Sequence, residues 1–376
     1  MSVDTVRSLL LGLAVGDALG VPYESSSRYT LEKNPVEDLV DDSSFHFKKG
    51  TWSDDSSLSF CLAEMLTGPW DLTRLADNFI DWQENGYWSA TGKAFAIGRG
   101  TAIAIDRLKK LRNNPTEAGL RRERDNGNGS LMRILPLVLV AQNKDAKDRE
   151  KMVREVSSLT HAHPRAILAC TFCIEFALCV LKGASLHRAY ETSRQAFDKR
   201  YGHELEAAPM HRVLDGSLAS CSSRDITSTA YVIDTLEAAL WSLLATDSYR
   251  AACLAAVNLG GDTNSVASIV GGIAGLAYGV EAIPETWLDA LVRRSDIEDL
   301  ALEDLDELAL AAGFLVVESA HDALGGPRVV VLDELGVDAG GRPRVAAEGL
   351  VEEAAAVGMD ARLDQHGAGE AGGENL

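Results

Sequence analysis

The sequence predicts an all-α protein: one compact helical domain over residues 1–295 with a single core, followed by an acidic tail over 296–376. Three observations lead there. Apolar residues recur at helical spacing in segment after segment. Convincing runs of alternating, strand-like residues are absent. The charge is also spread unevenly: of 56 acidic and 36 basic residues, a net −20, the last 81 positions hold 19 acidic and 4 basic ones. The first 295 residues are therefore close to balance, at −5. A chain of 376 residues allows two domains at roughly 150 residues each, but does not require them.

Leu9, Leu10, Leu13 and Leu19 mark the first helix, and Gly12, Gly16 and Gly20 recur four residues apart along it. Such a stripe lets another helix approach closely. The apolar run 9–15 after Arg7 has the look of a signal-peptide core, but Asp4 precedes it and Asp17 follows at once, so it reads as part of the folded domain. A second helical period runs through Leu58, Cys61, Leu62, Met65 and Leu66. Residues 166–181 and 229–244 supply two more. The last runs through Val266, Ile269, Val270, Ile273 and Leu276, with Gly271, Gly272 and Gly275 among them. In the tail, 301–317 can form an acidic helix and 328–332 a short strand or hairpin. From 325 onward the glycine-rich, charged composition predicts poor order.

Composition narrows the class. The acidic balance argues against binding a phosphate backbone or an anionic lipid surface. No apolar run reaches the roughly 18 residues that span a bilayer. The six cysteines sit in apolar, helical surroundings; Cys170 and Cys173, although spaced C-x-x-C, read as packed thiols. A cytoplasmic monomer is the expectation.

Two oxygen-rich clusters stand at helix starts: Ser53, Asp54, Asp55 and Ser56 after G-T-W, and Asp262, Thr263, Asn264 and Ser265 after N-L-G-G. Either alone is explained by helix capping. Together they form a donor set suited to Mg²⁺ or Mn²⁺, which prefer carboxylate and hydroxyl oxygens to thiolates.

Six segments, in order, resemble the motifs of the ADP-ribosylglycohydrolase family. They are G-L-A-V-G-D-A-L-G-V-P-Y-E at 12–24, W-S-D-D at 52–55, G-N-G-S-L-M-R at 127–133, T-H-A-H-P at 160–164, Y-V-I-D-T-L at 231–236 and G-G-D-T-N-S at 260–265. The resemblance runs from about residue 5 to 287 and leaves out the tail. It implies a compact all-α fold around two Mg²⁺ or Mn²⁺ ions, and a hydrolase that cleaves the N- or O-glycosidic bond of ADP-ribose in a modified protein or small molecule. The metal ligands it implies are Ser53, Asp54, Asp55, Asp262, Asn264 and Ser265. Glu24 would stand beside the scissile bond and share the catalytic role with Asp54 and Asp55. Gly127, Asn128, Gly129, Ser130 and His161 would contact ADP-ribose.

The residue chemistry agrees with those roles. Glycosidic cleavage through an oxocarbenium-like state needs a held ribose and an activated water. A metal pair can supply both, with Glu24 as base or as an anchor for a ribose hydroxyl. Gly127 and Gly129 leave backbone N–H groups open to a pyrophosphate. His161 and His163 form a His-x-His pair of the kind that binds zinc, yet no third His or Cys lies at a suitable spacing. Pro164 extends the backbone at His163, so structural or substrate-contact roles are expected. Two positions depart from the family pattern: Asn264 stands where relatives commonly carry Asp, and Ala96 where some carry Asp. Two other readings follow from them, namely an ADP-ribose-binding or structural protein like certain lens crystallins of the family, and a di-metal hydrolase of another nucleoside or phosphate substrate. The acceptor side chain, whether arginine, serine or another, is open.

Overall fold

Ser2 starts the first helix by accepting the Thr5 amide, and the helices then follow in quick succession. The computed structural model describes residues 2–42 and 46–311; the expectations for the chain beyond 311 lie outside them. The main elements are α1 (Val3–Gly20), α2 (Asp54–Leu66), α3 (Leu72–Asn85), α4 (Arg99–Leu108), α5 (Ala146–Ser158), α6 (Pro164–Leu181), α7 (Leu186–Tyr201), α8 (Val232–Leu244), α9 (Tyr249–Val257), α10 (Thr263–Tyr278) and α11 (Arg294–Ala311). Short helices and 3₁₀ turns join them. Among the described residues no strand ladder forms; Leu120 bridges His161, and Gly127 bridges Tyr231, as isolated pairs. The protein is all-α, as its periodicity predicts.

Helices α1 and α10 lie against each other at the centre, and both are almost wholly buried. The two glycine stripes explain the fit. A β-carbon on Gly12 would come within 2.5 Å of the Gly271 carbonyl oxygen, and one on Gly16 would overlap the carbonyl of Ala267. Reciprocally, Gly271 lies on Gly12, and Gly275 on Ser8. The Tyr249 hydroxyl donates to the Gly12 carbonyl at 2.7 Å and ties α9 to the pair. This approach carries Gly20 onto the backbone of Asn264 and so brings the chemistry-bearing ends of both helices together. Gly16→Val is expected to force the helices apart and to lower stability by about 3 kcal/mol or more. Chemical denaturation reads this directly, and an unchanged midpoint would contradict the packing.

Two helical segments, Val3–Tyr23 and Pro164–Leu181, are long and apolar enough to cross a bilayer, which corrects the expectation that no run is. Both are core segments, with 83% and 72% of their most apolar stretch buried. The core also continues past residue 295: Ile297, Leu300 and Ala301 of α11 are buried, and the compact unit runs to Glu307. All six cysteines are free thiols, and Cys170 and Cys173 are buried in α6.

Candidate active site

The Ser53 hydroxyl caps α2 by accepting the Asp55 amide at 3.3 Å. Capping does not exhaust its contacts. The same oxygen lies 2.8 Å from Asp17 Oδ1 and 2.8 Å from Asp55 Oδ2. One hydroxyl hydrogen can serve only one of these carboxylates. Asp17, inside α1 and fully buried, also accepts the Ser53 amide (2.9 Å), the Ser56 amide (3.0 Å) and the Ser56 hydroxyl (2.6 Å). It therefore fixes the turn that carries Asp54 and Asp55. Sequence reasoning missed Asp17 as a site residue, although a lone acid inside the apolar run 9–19 was the available signal.

The second cluster is placed by a tight turn in which Gly260 and Gly261 both take φ +72°, a conformation glycine adopts without strain. The turn is pinned by Ser25 N–H donating to the Gly261 carbonyl (2.7 Å) and Asp262 N–H donating to the Ser228 carbonyl (2.8 Å). Asn128 Nδ2 donates to Asp262 Oδ2 at 2.7 Å and to Thr235 Oγ1 at 3.0 Å. Asn264 Nδ2 donates to Asp55 Oδ2 at 2.9 Å. The two clusters, more than 200 residues apart in sequence, form one site. Ser265 lines the cleft beside Asp262.

Burial pushes every carboxyl group here above the usual range. Asp17 rises to about 6 despite its four hydrogen bonds. Asp54 and Asp55 rise well above the ordinary carboxylate value, through burial first, then for Asp54 through the charges of Asp17, Asp262 and Glu24, and for Asp55 through those of Asp17, Asp54 and Asp262. Burial raises Asp262. Glu24 is raised by burial and by the charges of Asp262 and Asp17. Among the described residues no basic side chain pairs with these acids. Two buried oxygens, Asp55 Oδ1 and Asn264 Oδ1, have no hydrogen-bond partner. Converging acids without a counter-cation, together with unpaired hard oxygens, fit a divalent cation such as Mg²⁺ or Mn²⁺. Ser53, Asp54, Asp55, Asp262, Asn264 and Ser265 could all supply donors.

Above this floor opens a cleft of about 840 Å³ lined by Glu24, Asp54, Asp262, Asn264 and Ser265 below, and by Gly127, Asn128, Gly129 and His161 on one wall. The buried His161 ring packs where a β-carbon on Gly129 would come within 2.6 Å of Cε1. Its Nδ1 is 2.9 Å from Thr160 Oγ1, which accepts from the fully buried Arg133 at 2.7 Å. Thr160 Oγ1 accepts from Arg133 and keeps both a hydrogen and a second lone pair for Nδ1, so the direction of that bond follows the tautomer of the ring. Burial and Arg133 lower the His161 pKa to about 3, keeping the ring neutral. The Ser130 hydroxyl takes a hydrogen bond from Ser157 at 2.9 Å inside the protein, and the residue is not part of the cleft lining. Ala96 faces the cleft with φ +58°, a strained conformation for alanine.

His163 caps α6, accepting the Arg165 amide at 3.2 Å, and does not line the cleft. With Glu123 and Glu206 it forms a group whose ligand atoms lie within 4.8 Å of one another. A guanidinium already sits there: Arg165 reaches Glu123 at 2.6 Å and Glu206 at 2.8 Å.

Fold and site together define an all-helical protein with a buried acidic floor beneath an open, ligand-sized cleft. The pattern of the ADP-ribosylglycohydrolase family matches residues 2–314, and the chain belongs to that family. It is 32% identical over 303 residues to the ADP-ribosylarginine hydrolase Tri1 of Serratia proteamaculans, covering 80% of this chain and 78% of that protein. It is 26% identical over 314 residues to the ADP-ribosyl-[dinitrogen reductase] glycohydrolase of Rhodospirillum rubrum, covering 81% and 98%. A solved structure described as an ADP-ribosylglycohydrolase-related protein complex superposes with a TM-score of 0.68 at 31% identity, covering 81% of this chain and 98% of that one.

Proposed function

We propose that this protein is a hydrolase that removes ADP-ribose from a modified protein by cleaving its glycosidic bond, with two Mg²⁺ or Mn²⁺ ions at the acidic floor. The observation that carries the reading is the set of four buried acids, Asp17, Asp54, Asp55 and Asp262, beside the more exposed Glu24, with no basic partner among the described residues and with unpaired oxygens on Asp55 and Asn264. When bound, such a metal pair supplies a water of lowered pKa and a hold on ribose hydroxyls. The chain's own residues do the rest. Asp54, Asp262, Asn264 and Ser265 present oxygens to the cleft while Asp17 holds the Ser53–Ser56 turn rigid beneath them. Glu24, its carboxyl raised above the usual range, is suited to take a proton from an attacking water or to orient a ribose hydroxyl. Gly127 and Gly129 add no side chain to their wall, which leaves room for a pyrophosphate, and the neutral His161 lines the same wall.

The relative named an ADP-ribosylarginine hydrolase makes arginine the acceptor to test first. Asn264 and Ala96 favour the competing reading of a protein that binds ADP-ribose without turnover. Incubation with arginine- and serine-linked ADP-ribosyl substrates, with Mg²⁺ or with EDTA, decides between them. Chromatography is expected to find free ADP-ribose from the arginine-linked substrate in Mg²⁺ and none in EDTA. Binding without release in Mg²⁺ and in Mn²⁺ would assign the non-catalytic role.

A further inference from the structure

The hydrolase reading accounts for the floor of the cleft and leaves its mouth unexplained. Five cationic side chains line it, Arg99, Arg107, Arg121, Arg122 and Arg124, and all are arginine. Arg99 and Arg107 stand eight residues apart on one face of α4, about 12 Å by helical rise. Ile103 lies between them and is 40% exposed. The other three come from the segment R-R-E-R-D at 121–125, whose acids are already occupied. Glu123 is paired with Arg165 at 2.6 Å, and Asp125 Oδ2 accepts the Arg122 amide at 3.0 Å. Arg107 donates to the Glu117 carbonyl at 2.7 Å, and Arg121 pairs with the exposed Glu117 at 3.3 Å. Arg99, Arg122 and Arg124 are exposed and form no ion pair among the described residues. Positive charge is thus concentrated around the opening of a site in a chain whose net charge is −20.

ADP-ribose explains only part of this. Its pyrophosphate carries about two negative charges, which one or two forked guanidinium groups saturate. Five arginines on two walls, flanking an exposed isoleucine, have the make-up of a protein-docking rim: a small apolar contact among arginines. Guanidinium pairs bidentately with carboxylate, which lysine does not. A nucleic acid would feel the repulsion of the rest of the chain along its length, whereas a compact acidic patch meets only the mouth. Resting on the hydrolase reading, we infer that the mouth docks an acidic surface of the acceptor protein, with carboxylates flanking the modified side chain. Docking of this kind raises the association rate and selects among modified proteins.

The test uses the full chain in Mg²⁺ with three substrates: free ADP-ribosylarginine, and two peptides bearing ADP-ribosylarginine flanked by aspartates or by lysines. The wild type should show a kcat/KM at least tenfold higher for the aspartate peptide, and the preference should shrink as salt rises. In the variant Arg99→Glu/Arg122→Glu/Arg124→Glu the preference should vanish or reverse, with hydrolysis of free ADP-ribosylarginine and the melting temperature unchanged. Equal kcat/KM for the two peptides in the wild type overturns the inference. So does an equal loss on all three substrates in the variant, because the arginines would then serve ADP-ribose itself. Tighter, more salt-sensitive binding of an ADP-ribosylated oligonucleotide than of the aspartate peptide also overturns it. Fluorescence anisotropy with the same peptides separates this inference from the hydrolase reading. Aspartate-dependent binding with no release from any substrate supports docking while removing the activity.

Discussion

Asp54→Asn and Asp262→Asn are each expected to lower the rate of ADP-ribose release by on the order of a thousandfold, about 4 kcal/mol of barrier. Both carboxylates face the cleft and belong to the proposed metal-binding floor, and an amide carries no charge toward a cation. The fold should survive. Without metal, both groups sit in an environment that penalises their charge, through burial and, for Asp54, through Asp17, Asp262 and Glu24. Removing one charge therefore relieves repulsion, and the metal-free melting temperature should stay level or rise. Rates on ADP-ribosylarginine, with circular dichroism and melting curves in EDTA, check both halves. A variant that keeps its rate would contradict the assignment. One that loses its rate by unfolding would contradict the electrostatic argument.

Asn264→Asp is expected to act in the opposite sense. In the wild type the amide Nδ2 donates to Asp55 Oδ2 at 2.9 Å, beside the Ser53 hydroxyl at 2.8 Å on the same oxygen. Aspartate would turn that donor into a further negative oxygen among acids already raised by burial and mutual repulsion. The metal-free variant should melt several degrees lower. Its affinity for Mn²⁺ should rise about tenfold or more, because part of the direct attraction survives desolvation. Calorimetric titration of Mn²⁺ into both proteins, with melting curves before and after, measures the exchange. Equal affinities would place Asn264 outside the metal ligands, as a partner of Asp55 only.

Much of the helical frame was legible because its signals are local. Periods such as Leu58, Cys61, Leu62 and Met65 predict a buried face, and oxygen-bearing residues at 53 and 262 stand at the starts of α2 and α10. The glycines of α1 announced a close helix contact; they could not name Gly271 and Gly275 as the other side. Asp17 was hidden for the same reason. Its role appears only when α1 passes beside the 53–56 turn and four donors converge on one carboxylate. Ser130 shows the reverse: a residue inside a recognisable segment turned inward, toward Ser157. The compositional boundary at 295 also marked a change of charge rather than an end of packing. Ile297, Leu300 and Ala301 keep helical spacing inside an acidic stretch and reach the core.

Manganese anomalous diffraction, from crystals grown with Mn²⁺ and ADP-ribose, tests the central claim most directly. The expected map holds two peaks at the cleft floor, within ligand distance, roughly 2.0–2.6 Å, of oxygens on Asp54, Asp55 and Asp262. A map with no peak there, or with a peak only among Glu123, His163 and Glu206, would contradict it.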